Sequence, residues 1–238
     1  MKKLILMALS IMLYLSASSQ ETSVPKWKFG VSGGFSFLTA SSKSSERELI
    51  DMGVPSDIAK DYYSDLKKGQ MATANVVYLF KPKMGVGLKY NFFTSNAEKN
   101  GLIVDYNYDG NLERVNMKEQ LYYNFVGPSF YMQNYITNNK KFQLTGQVAV
   151  GYLHYRNQVK SDMNLLLTGS TLGFNGELGI EYFLTKNWAI GVSGEVLSGV
   201  VGKVTVDDSY SSENIKLYDE SRINMTHLGV LFAIRFYK

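Results

Sequence analysis

Six ionisable residues stand inside stretches of this sequence that otherwise alternate bulky apolar with small or polar side chains: Lys28, Lys89, Glu177, Glu181, Glu195 and Arg235. Three are cations and three are anions, so the set balances. Enclosed together, they could neutralise one another as a packed plug, because a buried charge left unpaired is strongly destabilising. They could instead line a path for ions. Arg235 and Glu181 fall near the same end of their segments and are the first pair expected. Two histidines, His154 and His227, are the side chains best suited to proton transfer near neutral pH. Neither has a metal-ligand partner at helical or hairpin spacing, and no linear pattern supplies a nucleophile, base and orienting group together. Asp105, Asn107 and Asp109, followed by Gly110, match the first half of a calcium loop, but its twelfth position is Asn116 rather than Glu. The plainer expectation there is a tight turn at Asp109-Gly110. No cofactor pattern is present, and none is expected.

The elements that must position these residues are strands. Eight stretches alternate with period two: 27–38, 70–80, 84–95, 118–132, 141–155, 171–184, 187–200 and 223–237. Each is long enough to cross a hydrocarbon layer when tilted, which takes about nine to eleven residues. The connections alternate in length. Long ones cover 39–69, 96–117, 156–170 and 201–222; short ones cover 81–83, 133–140 and 185–186. The oily faces are built as in Leu228, Val230, Phe232, Ile234 and Phe236 of the last segment, with aromatics gathered at strand ends. The opposite faces carry the six charges, with Ser32, Asn91, Gln143, Gln147 and Asn175, and many glycines. A soluble barrel would turn its oily face inward. End-placed aromatics and a glycine-rich polar face favour the reverse, with oily residues on lipid and polar residues in a narrow lumen.

In the fourth segment Leu121, Tyr123 and Phe125 have the opposite parity to Phe130 and Met132, with Gly127-Pro128 between them. A bulge that flips the strand's phase is therefore expected at the proline. The first long connection reads as helical. Ser45 and Glu48 suit a capping box and Gly53 a stop; Pro55-Ser56 opens a second piece with Ile58, Tyr62 and Leu66 on one face. The stretch 163–169 is apolar and reads as the rising edge of the sixth strand.

Residues 1–19 are expected to be a signal peptide: Lys2-Lys3, a short apolar run to Leu15, then Ala17-Ser18-Ser19 before a cut at Gln20. Residues 20–238 form the mature domain. Without Lys2 and Lys3 the 25 basic residues become 23, against 21 acidic, a net of +2. With no basic block left, nucleic acid is excluded as a partner. The chain has no Cys, and so neither a disulfide nor a lipidated cysteine.

The alternating segments, turns such as that in "FKPKMGVGLKYNF", the stretch "FNGELGIEYFLTKNWAIGVSGE" and the aromatic end of the last strand resemble small outer-membrane β-barrel proteins of the OmpX/OmpA-like, porin-family kind. The resemblance covers nearly all of the mature chain. It implies an all-β, antiparallel up-and-down transmembrane barrel of eight strands, both termini in the periplasm, with a short helical segment in the first extracellular loop. Ten strands remain open if the second or fourth loop forms another hairpin. The resemblance further implies insertion by the barrel-insertion machinery, here with Lys238 following Phe236-Tyr237, and a setting of outer-membrane lipid and lipopolysaccharide. Barrel lipid A deacylases carry a His-x-Ser element; His154 and His227 lack it. The function expected is non-enzymatic: anchoring external loops for envelope integrity, adhesion or binding of an extracellular partner. The alternatives are a narrow channel for ions or small solutes and a lipid-modifying enzyme.

Overall fold

The computed structural model describes residues 25–105, 112–161, 164–208, 210–218 and 221–238. The expected signal peptide, and Asn107 and Asp109 of the calcium-loop reading, lie outside the described residues.

The long strands are Trp27–Leu38 (β1), Lys68–Lys81 (β2), Met84–Val104 (β3), Glu113–Tyr135 (β4), Phe142–Lys160 (β5), Asn164–Phe183 (β6), Trp188–Ser198 (β7) and His227–Tyr237 (β12). Two helices, Lys43–Asp51 (α1) and Ser56–Lys67 (α2), lie between β1 and β2. Short strands β8 (Val200–Val201), β9 (Lys203–Asp207), β10 (Ser212–Lys216) and β11 (Ile223–Asn224) occupy the last loop. Every consecutive pair from β1 to β7 is antiparallel, β12 pairs with both β7 and β1, and the wall closes as an eight-stranded barrel. Closure runs to the chain end, where Trp27 and Lys238 exchange backbone hydrogen bonds of 2.8 Å. The ten-strand alternative fails for a visible reason. β9–β10 is a hairpin, but it pairs with the loop-end extension of β6 and does not enter the wall.

The oily face points out. Phe35 is 64% exposed, Phe232 62% and Leu172 72%, while Lys28, Asn91, Gln143, Asn175 and Arg235 are buried. On β5 the outward residues from Phe142 to Tyr152 span ten positions. At about 3.3 Å each and a tilt of about 40°, that is about 25 Å, the height of an outer-membrane apolar band. Aromatics ring the end that carries the termini and short turns, with Trp27 against Tyr78 at 5.1 Å, Trp188 against Phe236 at 4.9 Å and Phe142 against Tyr182 at 5.0 Å.

Two expectations are corrected. β4 has no phase-flipping bulge: its register with β3 runs unbroken from Lys99 to Met84, and odd residues from Leu121 to Gln133 stay inside. Pro128 faces outward and costs only a ladder bond to β5; Gly127 and Gly151 meet across that pair with no room for a Cβ on either. The parity change in the sequence reflects the lumen instead, which is polar toward the turn end and apolar toward the loop end. The second correction concerns the loops. Residues 96–104, 113–117, 156–160 and 164–170 continue the ladders beyond the apolar band. Ala97 points inward, and beyond a register shift between Lys99 and Leu102 the residues Leu102 and Val104 do so again; with Val115 they bury against the helices, so the strands have reason to continue. The rising edge of β6 begins at Asn164, as its apolar run suggests.

The helices sit on the loop end. α1 starts earlier than a Ser45–Glu48 capping box requires; Ser42 precedes it and donates its hydroxyl to Glu46. Gly53 ends α1 with φ +96°, a left-handed conformation that glycine adopts without a Cβ clash. α2 turns Ala59, Tyr62 and Leu66 into the barrel mouth, with Ile58 only partly buried at the edge of that face.

Candidate functional site

The interior has two layers. In the lower layer, toward the turn end, the six charges occupy one network. Glu181 comes from β6 and Lys28 from β1; Lys28 Nζ lies 2.8 Å from Glu181 Oε1 and donates to the Tyr131 hydroxyl at 2.6 Å. Arg235, on β12, reaches both neighbours on β6. Its Nη2 is 3.1 Å from Glu177 Oε1, its Nε 3.4 Å from Glu181 Oε1, and its Nη1 donates to Ser32 at 2.9 Å. Lys89, on β3, crosses the lumen to Glu177 Oε2 at 2.5 Å and to Glu195 Oε2, on β7, at 2.7 Å. Asn175 donates to Glu195 at 2.8 Å and Asn91 donates to the same oxygen; Tyr237 donates to Glu181. Each ionised side chain is nearly inaccessible, so the arrangement joins low dielectric to charge-assisted hydrogen bonds.

Parity put the six charges and most of their amide neighbours on one face in the sequence. Tyr131 and Tyr237 were not among the residues that alternation singled out. Their roles depend on which strands face each other across the lumen, and local alternation carries no such information.

The upper layer is apolar. Phe93, Tyr123, Phe125, Leu153, Tyr155 and Leu197 fill the barrel below Tyr62 and Leu66 of α2. Phe93 stacks on Tyr123 at 5.0 Å and on His227 at 4.7 Å. His227 is wholly buried, its Nδ1 3.0 Å from the Met225 carbonyl oxygen. His154 lies on the outer wall, with its Nδ1 3.5 Å from the Tyr152 hydroxyl. The wall therefore separates the two histidines. Above the aromatic layer, Glu119 is buried without a cation among the described residues. It accepts hydrogen bonds from Asn157 at 2.6 Å and from the Tyr62 hydroxyl at 3.2 Å. Burial pushes its carboxyl above the ordinary range, against those two hydrogen bonds. This tie between helix and barrel was not anticipated; a lone Glu in an alternating strand gives no sign of its partner.

No group of three His, Cys, Asp or Glu side chains placed to hold a metal occurs among the described residues. Asp105 meets the helical cap through its backbone, donating to the Met52 carbonyl oxygen at 2.8 Å.

A model of the outer membrane protein beta-barrel domain matches residues 5–229. No curated protein matches the chain. Among solved structures, the outer membrane protease OmpT of Escherichia coli aligns at 10% identity and a TM-score of 0.46, covering 94% of this chain and all of that one. Neisserial surface protein A aligns at 12% identity and 0.45, covering 89% and 97%. A major outer membrane protein of Thermus thermophilus aligns at 10% and 0.46, covering 87% and 99%. None of these three reaches a TM-score of 0.5, so the assignment rests on the domain match together with the closed barrel and its outward apolar band. The chain belongs to the outer membrane protein beta-barrel domain family and is an eight-stranded barrel of the outer membrane.

Proposed function

We propose that this chain is a non-enzymatic, sealed barrel that displays a helical cap and a β-hairpin on the outer surface. It is exported by a signal peptide cut before Gln20, inserted by the barrel-insertion machinery, and set with its loop end outward among lipopolysaccharide. The observation that carries the reading is the double closure of the lumen by the neutral charge network below and the aromatic layer under α2 above. An eight-stranded barrel has an interior only wide enough for its own side chains, and here they fill it. What is left to interact is the loop end, where Tyr210 is 98% and Tyr218 85% exposed, features suited to an extracellular partner. The separated histidines favour this reading over a lipid-modifying enzyme. Proteoliposomes of the refolded protein should shrink in arabinose and fail to reswell. Reswelling, or lipid turnover that is lost in His154→Ala, contradicts the proposal.

One observation favours a narrow channel as the second reading. Asn75, Asn91, Asn175 and Gln143 keep buried side-chain oxygens with no hydrogen-bond partner among the described residues. Water bound at those oxygens would satisfy them. The apolar layer stands between such water and the outside.

A further inference from the structure

The register of β5, β6, β9 and β10 brings basic side chains together on the outer wall, just above the apolar band. Tyr152 and Leu172 pair at the top of the band. One step up, His154 pairs with Ser170, and Gly169 pairs with Val204, which sets Lys203 beside Ser170. Lys203 in turn lies directly opposite Lys216. His154, Ser170, Lys203 and Lys216 therefore form one row across four strands, about 14 Å at the usual strand spacing. Arg156 stands in the next row, opposite Thr168, which pairs with Thr205.

Burial alternation on β5 and at the start of β9 fixes Arg156 and Lys203 to this face, and Lys216, on the uniformly exposed β10, shares it as the direct cross-strand partner of Lys203. Val204 is buried inward while Lys203, Lys216, Arg156 and Ser170 are exposed. None of Arg156, Lys203 and Lys216 makes an ion pair among the described residues. By contrast Lys118, higher on the wall, is held by Glu98 at 2.9 Å. Among the described residues, the acidic side chain on the same face of these strands is Asp207, opposite Leu166 and Ser212, two rows above Lys203. Like charges directly opposite on a sheet destabilise it, so an uncompensated Lys203–Lys216 pair calls for an anion between the two.

We propose that this wall binds the headgroup of a phosphorylated glycolipid of the outer leaflet. Lys203, Lys216 and Arg156 take the phosphates, Ser170 and Thr168 offer hydroxyls to the sugars, and Tyr152 and Leu172 receive the first part of the acyl chains. The occupant is a lipid because of where the patch lies. It continues an apolar band that is itself in hydrocarbon, at the level where headgroup phosphates begin. The inference rests on the reading that the loop end faces outward.

The test uses the full mature chain refolded in detergent micelles, with lipopolysaccharide as probe and native mass spectrometry as readout. The triple variant Arg156→Glu/Lys203→Glu/Lys216→Glu is compared with Lys26→Glu/Lys81→Glu/Lys83→Glu, which has the same charge change at the turn end. The wild type and the turn-end variant should each retain one glycolipid, and the wall variant should bind about a hundredfold more weakly, at about 1 kcal/mol per basic residue. Heat-modifiable migration on gels verifies that both variants fold. A variant that misfolds is replaced by the milder Lys203→Gln/Lys216→Gln, for which a loss of about thirtyfold is expected on the same scale. Equal retention by wild type and wall variant overturns the proposal. Two further outcomes also overturn it: competition by millimolar inorganic phosphate, which would mark a free-anion site, and equal binding of phosphatidylglycerol, which would mark nonspecific surface charge. Solute permeability of the same preparation is read separately, so loss of glycolipid binding and failure of the sealed-barrel reading are distinguished.

Discussion

Lys89 holds two carboxylates at once, Glu177 at 2.5 Å and Glu195 at 2.7 Å, and no other cation contacts Glu195 among the described residues. Removing the ammonium leaves Glu195 buried without a cation and Glu177 with Arg235 alone, whereas replacing a whole group with neutral partners is far milder. Lys89→Met should therefore lower barrel stability by about 3–5 kcal/mol in urea unfolding. Adding Glu195→Gln should return part of that loss, and no recovery would count against the pairing. By the same logic Arg235→Leu, inside the network, should weaken the barrel more than Phe236→Leu on its lipid face. Glu119 gives a pH dependence. Its folded-state pKa lies above the ordinary carboxyl value of 4.5 because burial penalises the charge. The folded chain thus holds that proton more tightly than the unfolded one. The linked stability is full below the ordinary value and is lost as pH rises through the raised one. Amide exchange in α2 should speed up across that window beyond its intrinsic pH dependence, and Glu119→Gln should remove the excess.

At the level of elements, α2 closes the mouth through Ala59, Tyr62 and Leu66, so Tyr62 carries most of the contact area. Tyr62→Ala should cost about 3–5 kcal/mol of cap stability and expose residues 39–67 to protease, while the barrel keeps its heat-dependent gel shift. A cap that stays resistant would mean that its anchoring lies elsewhere. The strands were readable in the sequence because lipid imposes alternation on the outer face, and β1 has the bounds that alternation gave it. The upper parts of β3 to β6 were read as loops because outside the apolar band the outer face turns polar and the period-two contrast fades. β4 misled for the opposite reason. Its backbone phase is constant, but inside the barrel Leu121, Tyr123 and Phe125 meet an apolar layer while Ser129 and Gln133 meet a polar one. The six lumen charges were legible by parity, and the Arg235–Glu181 contact by position along the strands; the other contacts were not, because side chains such as Lys89 and Arg235 reach across the lumen to strands remote in sequence.

For the whole molecule, the closed wall, the neutral lower network and the aromatic layer under the cap amount to two barriers in series. An ion would have to part the buried charge network at the turn end and then cross the desolvated layer of Phe93, Phe125 and Leu153. Opening one barrier alone should therefore leave the pore closed. Single-channel recording of the mature protein in a planar bilayer, once the gel shift shows a folded barrel, tests this most directly. The account predicts a silent bilayer for the wild type and for Lys89 or Glu177 variants that still fold. Reproducible conductance steps in the wild type, altered in amplitude or ion selectivity by changing Lys89 or Glu177, would contradict it and make the charged layer a conduction path.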